Sequence, residues 1–95
     1  MKVVWTDIAV TQLQVIYDFI SQTSEDYALR VVDRLTRRSQ QIAAFPLSGR
    51  TIPEYEADEI REIIEGAYRI IYFVAAEQVE VLAVIHGAQK IPPRA

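Results

Sequence analysis

Residues 61–90 read as three short apolar runs joined by two tight connections, with Arg69, His86 and Lys90 as the few polar interruptions. Runs rich in Val, Ile, Tyr and Phe, bounded by turn residues, predict strands over 59–65, 68–75 and 79–86. Gly66-Ala67 and Ala76-Glu77-Gln78 are the turns between them. This meander constrains the fold more than any other feature, because a three-stranded apolar sheet must bury a face against another layer of the same chain.

The covering layer lies upstream. Residues 2–6 read as a short opening strand, and Thr6 or Asp7 caps the helix that follows. Ala9, Leu13, Ile16 and Ile20 recur at helical spacing, with Val15 and Phe19 widening that face. This helix ends near residues 21–23. Ser24 caps a second one, with Glu25 and Asp26 in its first turn, where the helix dipole favours acids. Its apolar line runs through Ala28, Val31 or Val32, Leu35 and Ile42, interrupted by Ser39. It stops before Phe45-Pro46, since proline disfavours helical geometry in the preceding residue. Two amphipathic helices joined so briefly form an antiparallel hairpin. Residues 46–58 hold two prolines, a glycine and a cluster of acids, and read as loop. The tail from residue 87, with Pro92-Pro93, carries little regular structure. The expected fold class is α+β, in the order β-α-α-β-β-β, with the helical hairpin packed on a small, mainly antiparallel sheet and one domain spanning residues 1–95. Nothing local tells which strand residues 2–6 pair with.

Strict alternation places Val79, Val81, Ala83 and Ile85 on one face of the last strand, and Glu80, Leu82, Val84 and His86 on the other. Both faces of the last two strands are largely apolar, and the hairpin covers only one. The other face is expected to be a site or an interface.

Composition excludes several chemistries. The chain has 95 residues, no cysteine and a single histidine, so thiolate sites and paired-histidine metal sites are ruled out, and no metal or cofactor is expected. Gly49, Gly66 and Gly87 are isolated, leaving no phosphate-cradling loop. The longest apolar run, residues 70–76, is too short to span a bilayer, so a cytoplasmic protein with no membrane partner is expected. A formal net charge of −3 lowers the expectation of a nucleic-acid partner. Arg30, Arg34, Arg37 and Arg38 line the second helix, but Asp26–Arg30 and Asp33–Arg37 have the spacing of ion pairs on a solvated face. Arg69 inside an apolar strand calls for a carboxylate partner, Glu62 or Glu65, or else faces outward to a phosphate or a partner's carboxylate. His86 reads as a hydrogen-bonded strand end or a general base.

Four segments are more specific than composition: FPLSGR at 45–50, IPEYEADEIREII at 52–64, GAYRIIYFV at 66–74 and VEVLAVIHGAQK at 79–90. Their ordered set of Phe-Pro-x-x-Gly-Arg, Arg-Glu, Tyr-Arg-x-x-Tyr and His-Gly resembles the ParE/RelE toxin superfamily, the toxin halves of bacterial type II toxin–antitoxin modules. The resemblance covers nearly the whole chain. It implies a cognate antitoxin whose C-terminal segment wraps the toxin, burying the helical hairpin and adding to the sheet. The RelE-like branch cleaves messenger RNA in the ribosome, and in that branch Arg69, His86 and Lys90 would be catalytic. Here, however, Ile60 and Glu62 stand where that branch has lysines, and no tyrosine follows Tyr72. The chain therefore looks more like the ParE branch, whose members are implicated as binding inhibitors of DNA gyrase and in plasmid stabilisation rather than as hydrolases. A degenerate toxin that only binds antitoxin is a further reading. The resemblance and the polar residues of the sheet together mark Arg61, Arg69, His86, Gln89 and Lys90 as the expected functional surface.

Overall fold

The computed structural model describes residues 1–87, in which the elements run β1 (Lys2–Trp5), α1 (Asp7–Ser21), α2 (Glu25–Ala44), β2 (Arg50–Thr51), a 3-10 turn (Pro53–Tyr55), β3 (Ile60–Glu65), β4 (Tyr68–Val74) and β5 (Gln78–His86). The predicted elements are all present, and β2 is an addition. The sheet order is β1-β5-β4-β3-β2, antiparallel except where β1 runs parallel to β5.

Thr6 is the helix cap, and it does more than cap. Its hydroxyl accepts from the Ala9 amide at 3.2 Å and faces the carbonyls of Val81 and Leu82 at 3.0 and 3.2 Å. Its own amide donates to Val81 O at 3.0 Å. One residue thus starts α1 and fastens it to β5. Where β5 runs on past the end of β1, its Val84 amide donates to the side-chain oxygen of Gln12 on α1 at 2.8 Å. A side chain there satisfies the strand edge that β1 leaves uncovered.

The helices bury the faces that their spacing implies, with two refinements. Ala9 is fully buried, and Leu13, Ile16 and Ile20 pack on the core beside Ile63, Ile70, Tyr72 and Val79. Val15 and Phe19 do not widen this face but stand exposed. On α2 the buried valine is Val31, next to Ala28, Leu35 and Ile42. Ser39 belongs to the same buried line because its hydroxyl accepts from the Trp5 indole at 3.3 Å and donates to Thr36 O at 2.7 Å. Both of its hydrogen-bonding roles are met, so its burial carries little penalty.

Two expectations about the sheet need correction. The first is alternation along β5. Ile71 pairs with Ala83 and Tyr72 with Val81, so Leu82 is an extra residue and the strand bulges. The bulge reverses the faces beyond it: Val84 joins Val79 and Val81 under the helices, while Ala83 and Ile85 turn to the other side. The second is the face away from the helices, which is not left open. Residues 46–58 are more than loop: β2 pairs Arg50 with Glu62 and Thr51 with Arg61, and the chain then crosses the sheet. Ile52, Tyr55 and Ala57 pack there on Ile60, Ile71, Ala83 and Ile85. A second, smaller core results. No described helix is long and apolar enough to cross a membrane.

Candidate functional site

On β3, Ile60, Glu62 and Ile64 share the face turned away from the helices, opposite Phe73, Ile71 and Arg69 of β4. Glu62 is only 3% exposed there. A buried carboxylate is tolerable only when cations and hydrogen bonds replace its water. It has two. Arg50 Nε donates to Glu62 Oε2 at 2.7 Å, and Arg69 Nε donates to Glu62 Oε1 at 2.6 Å, with its Nη2 on the same oxygen. The Arg69 side chain is 14% exposed and that of Arg50 67%. The Arg50–Glu62–Arg69 triad therefore carries a net positive charge with one guanidinium held inside and one outside. It borders a cleft of about 170 Å³ that Ile64, Tyr68 and the β3–β4 turn also line. That turn depends on Gly66, whose φ of +59° lies in the left-handed region.

The placement of Arg50 has its own scaffold. Tyr72, fully buried on the helix side, accepts from the Gly49 amide at 2.9 Å and donates to Pro46 O at 2.8 Å. Burial raises the Tyr72 pKa above its usual value of 10, against smaller lowering contributions from the Gly49 bond and from Arg61. A Cβ on Gly49 would lie 2.7 Å from Glu62 O and against the Tyr72 hydroxyl, so only glycine fits. Arg61 fixes the same loop from its other side. Its Nη1 donates to Gly49 O at 2.9 Å and Leu47 O at 3.2 Å, and its Nε donates to Asp58 O at 3.0 Å. Most residues of the Phe-Pro-x-x-Gly-Arg, Arg-Glu and Tyr-Arg-x-x-Tyr segments thus meet in one construction.

The expected functional residues are therefore not assembled at one point. Arg69 pairs with Glu62, as one of its two sequence readings has it, and Arg61 is bound to backbone carbonyls. His86 is exposed and meets the Tyr68 ring edge-on, with centroids 5.7 Å apart and planes at 82°. It pairs with Tyr68, whereas Arg69 pairs with Ile85, so Arg69 and His86 point to opposite faces of the sheet. Gln89, Lys90 and the Pro92-Pro93 tail lie outside the described residues. Among those described, no group of three His, Cys, Asp or Glu is arranged to hold a metal ion. Sequence reasoning missed Arg50 as a partner of Glu62. The available signal was Glu62 itself, a carboxylate between two isoleucines on an apolar face.

A second candidate surface lies on the helical hairpin. Ile8, Val10, Val15 and Phe19 of α1 and Leu29 of α2 are exposed. Val10, Leu13, Gln14, Tyr17 and Val32 enclose a groove of about 280 Å³ between the helices. Ile8, Val15 and Phe19 recur at i, i+7 and i+11 along one flank of α1, whereas Val10 and the groove lie on its opposite flank. The hairpin thus carries two apolar strips of the kind that marks a protein interface.

Comparison with known proteins agrees with this architecture. A family model described as the ParE toxin of the type II toxin–antitoxin system parDE matches residues 3–91. Toxin RelE2 of Caulobacter vibrioides is 33% identical over 89 residues, which is 93% of this chain and 97% of that relative. Among solved structures, the chromosomal ParDE system of P. aeruginosa matches with a TM-score of 0.75 at 20% identity, over 90% of this chain and 95% of that one. The RelBE2 toxin–antitoxin complex of Mycobacterium tuberculosis gives 0.69 at 20% identity, over the same shares. The YoeB/ParE toxin of Agrobacterium tumefaciens gives 0.63 at 20% identity, over 90% and 98%. At these identities the structural likeness concerns the fold, while the sequence match from residue 3 to residue 91 establishes the relationship: the chain belongs to the ParE toxin family of type II toxin–antitoxin systems.

Proposed function

We propose that this toxin acts by binding a protein target, DNA gyrase, and that a cognate antitoxin neutralises it by docking an amphipathic segment on the α1–α2 hairpin. The observation that carries the reading is where the cations go. Cleaving RNA requires cations free to hold a phosphate and a group beside them to activate the 2′-hydroxyl. Arg69 is committed to Glu62 and Arg61 to backbone carbonyls, and His86 faces the other side of the sheet. The exposed apolar residues of α1 and α2 support the antitoxin part. Supercoiling by purified gyrase is the test: inhibition at micromolar toxin, relieved by equimolar antitoxin, is expected. Full supercoiling at a large excess of toxin would refute the gyrase reading.

A second reading, ribosome-dependent cleavage of messenger RNA, is favoured by two observations. One is the 33% identical relative named RelE2, and the other is the net positive triad beside its cleft. Primer extension on translated messages separates the two. Cuts that vanish in Arg69→Ala support cleavage, and intact messages during growth arrest support gyrase.

A further inference from the structure

Tyr27 and Tyr68 line a cavity of about 100 Å³ between α2 and the β3–β4 turn, which shares Gly66, Ala67 and Tyr68 with the triad's cleft. Val31 and Leu35, both buried, contribute apolar walls, and Arg34 and Glu65 complete the polar lining. Three donors around it have no hydrogen-bond or ion-pair partner among the described residues: the Arg34 guanidinium and the hydroxyls of Tyr27 and Tyr68. The two phenols lie within electrostatic reach of each other, since Tyr27 adds to the rise in the Tyr68 pKa that burial dominates.

The nearby charges favour an anion. Glu65, the one carboxylate in the lining, is engaged by Arg38 at 3.8 Å. Asp33 on the outer side of α2 is held by Arg37 at 3.0 Å. The Arg30 guanidinium lies over the Tyr27 ring, 5.9 Å from its centroid. Arg30 and Arg34 are thus cations with no carboxylate partner among the described residues, on a chain whose net charge is −3. A carboxylate accepts well from a guanidinium and from phenol hydroxyls. At about 30 Å³ per liquid water, the cavity has room for roughly three waters or one short side chain. The methylenes of a glutamate would lie on Val31 and Leu35 while its carboxylate meets the three donors.

We propose that this cavity is a socket for the carboxylate side chain of an acidic segment on a protein partner. It adjoins the triad's cleft across Tyr68 and the β3–β4 turn but contains neither Arg50 nor Arg69, so it stands whether or not gyrase is the target.

The full chain, labelled with ¹⁵N and titrated with a hexaglutamate peptide, provides the test. The Val31 and Leu35 amides, which line this cavity and not the triad's cleft, should shift saturably. Arg34→Ala should weaken binding about tenfold, the effect of one lost charged hydrogen bond, and Tyr68→Phe should weaken it about threefold, as for one neutral hydrogen bond. Arg37→Ala lies outside the cavity and should bind like the parent. Arg34 and Arg37 are both exposed, so neither change disturbs packing. Three results would overturn the proposal. They are no shift at Val31 or Leu35, an Arg37→Ala loss as large as that of Arg34→Ala, and displacement of the peptide by an RNA oligonucleotide of equal charge at lower concentration.

Discussion

The Gly49 amide donates to the Tyr72 hydroxyl at 2.9 Å across 23 positions of sequence, and that contact sets where Arg50 stands. The residue after Gly49 is thereby delivered to Glu62, with its Nε 2.7 Å from the carboxylate. Much of what makes the chain resemble its family is the scaffold of this contact.

Gly49→Ala should therefore destabilise the fold by about 1–3 kcal/mol, the usual cost of forcing an atom into a filled space. The Cβ meets a backbone oxygen, Glu62 O, that has little freedom to yield. Tyr72→Phe keeps the ring but strands the Gly49 amide, at about 1–2 kcal/mol. Urea unfolding measures both, and parent-like midpoints would show that the contact holds nothing.

Tyr72 also predicts a pH dependence. Burial raises its pKa in the folded chain above 10, so between 10 and that higher value the unfolded chain loses the proton while the folded chain keeps it. Stability is then fully present below pH 10 and falls as pH rises beyond it. Tyr55 and Tyr68, also raised by burial, contribute in the same direction. Thermal melts from pH 9 to 11 should show a decline that is shallower in Tyr72→Phe. An equally steep decline in that variant would assign the effect elsewhere.

Glu62→Gln leaves two guanidiniums without their shared carboxylate, one of them largely buried, and should cost about 3–5 kcal/mol. Arg50→Ala should cost no more than about 1 kcal/mol, because that side chain is mostly in water. Replacing the inner pair together, as Glu62→Leu with Arg69→Met, should recover most of the stability lost in Glu62→Gln. Chemical denaturation of the three variants distinguishes a buried charge that must be paired from a pair that stabilises outright.

Phe19 is 64% exposed on α1, so Phe19→Asp should change folding stability by no more than about 0.5 kcal/mol. If the hairpin is the antitoxin's seat, the same change should weaken co-purification with antitoxin at least about tenfold, as losing a central apolar anchor does. Undiminished co-purification would move the antitoxin to another surface.

The local elements were readable because their causes are local. Thr6 and Ser24 cap the helices as expected, each accepting from the amide three residues on. Gly66 makes the β3–β4 turn for which its lack of a Cβ suits it. The triad was half readable. A carboxylate and an arginine on adjacent apolar strands point to each other, but Arg50 lies 12 residues from Glu62 behind a loop whose path no periodicity records. The bulge at Leu82 was unreadable for a related reason: Ala83, Val84 and Ile85 are all apolar, so nothing in their pattern marks which one turns to which face.

The chain's spacing, caps and turns determined two amphipathic helices, a three-stranded meander and the β-α-α-β-β-β order by themselves, since each rests on interactions within a few residues. Only the tertiary structure decided that β1 joins β5, that Ile52 and Tyr55 close the second face of the sheet, and that Arg61 and Arg69 are bound internally. Those outcomes depend on which groups, far apart in sequence, compete for the same carbonyls, the same carboxylate and the same apolar surface, and that competition is settled only when the chain is packed.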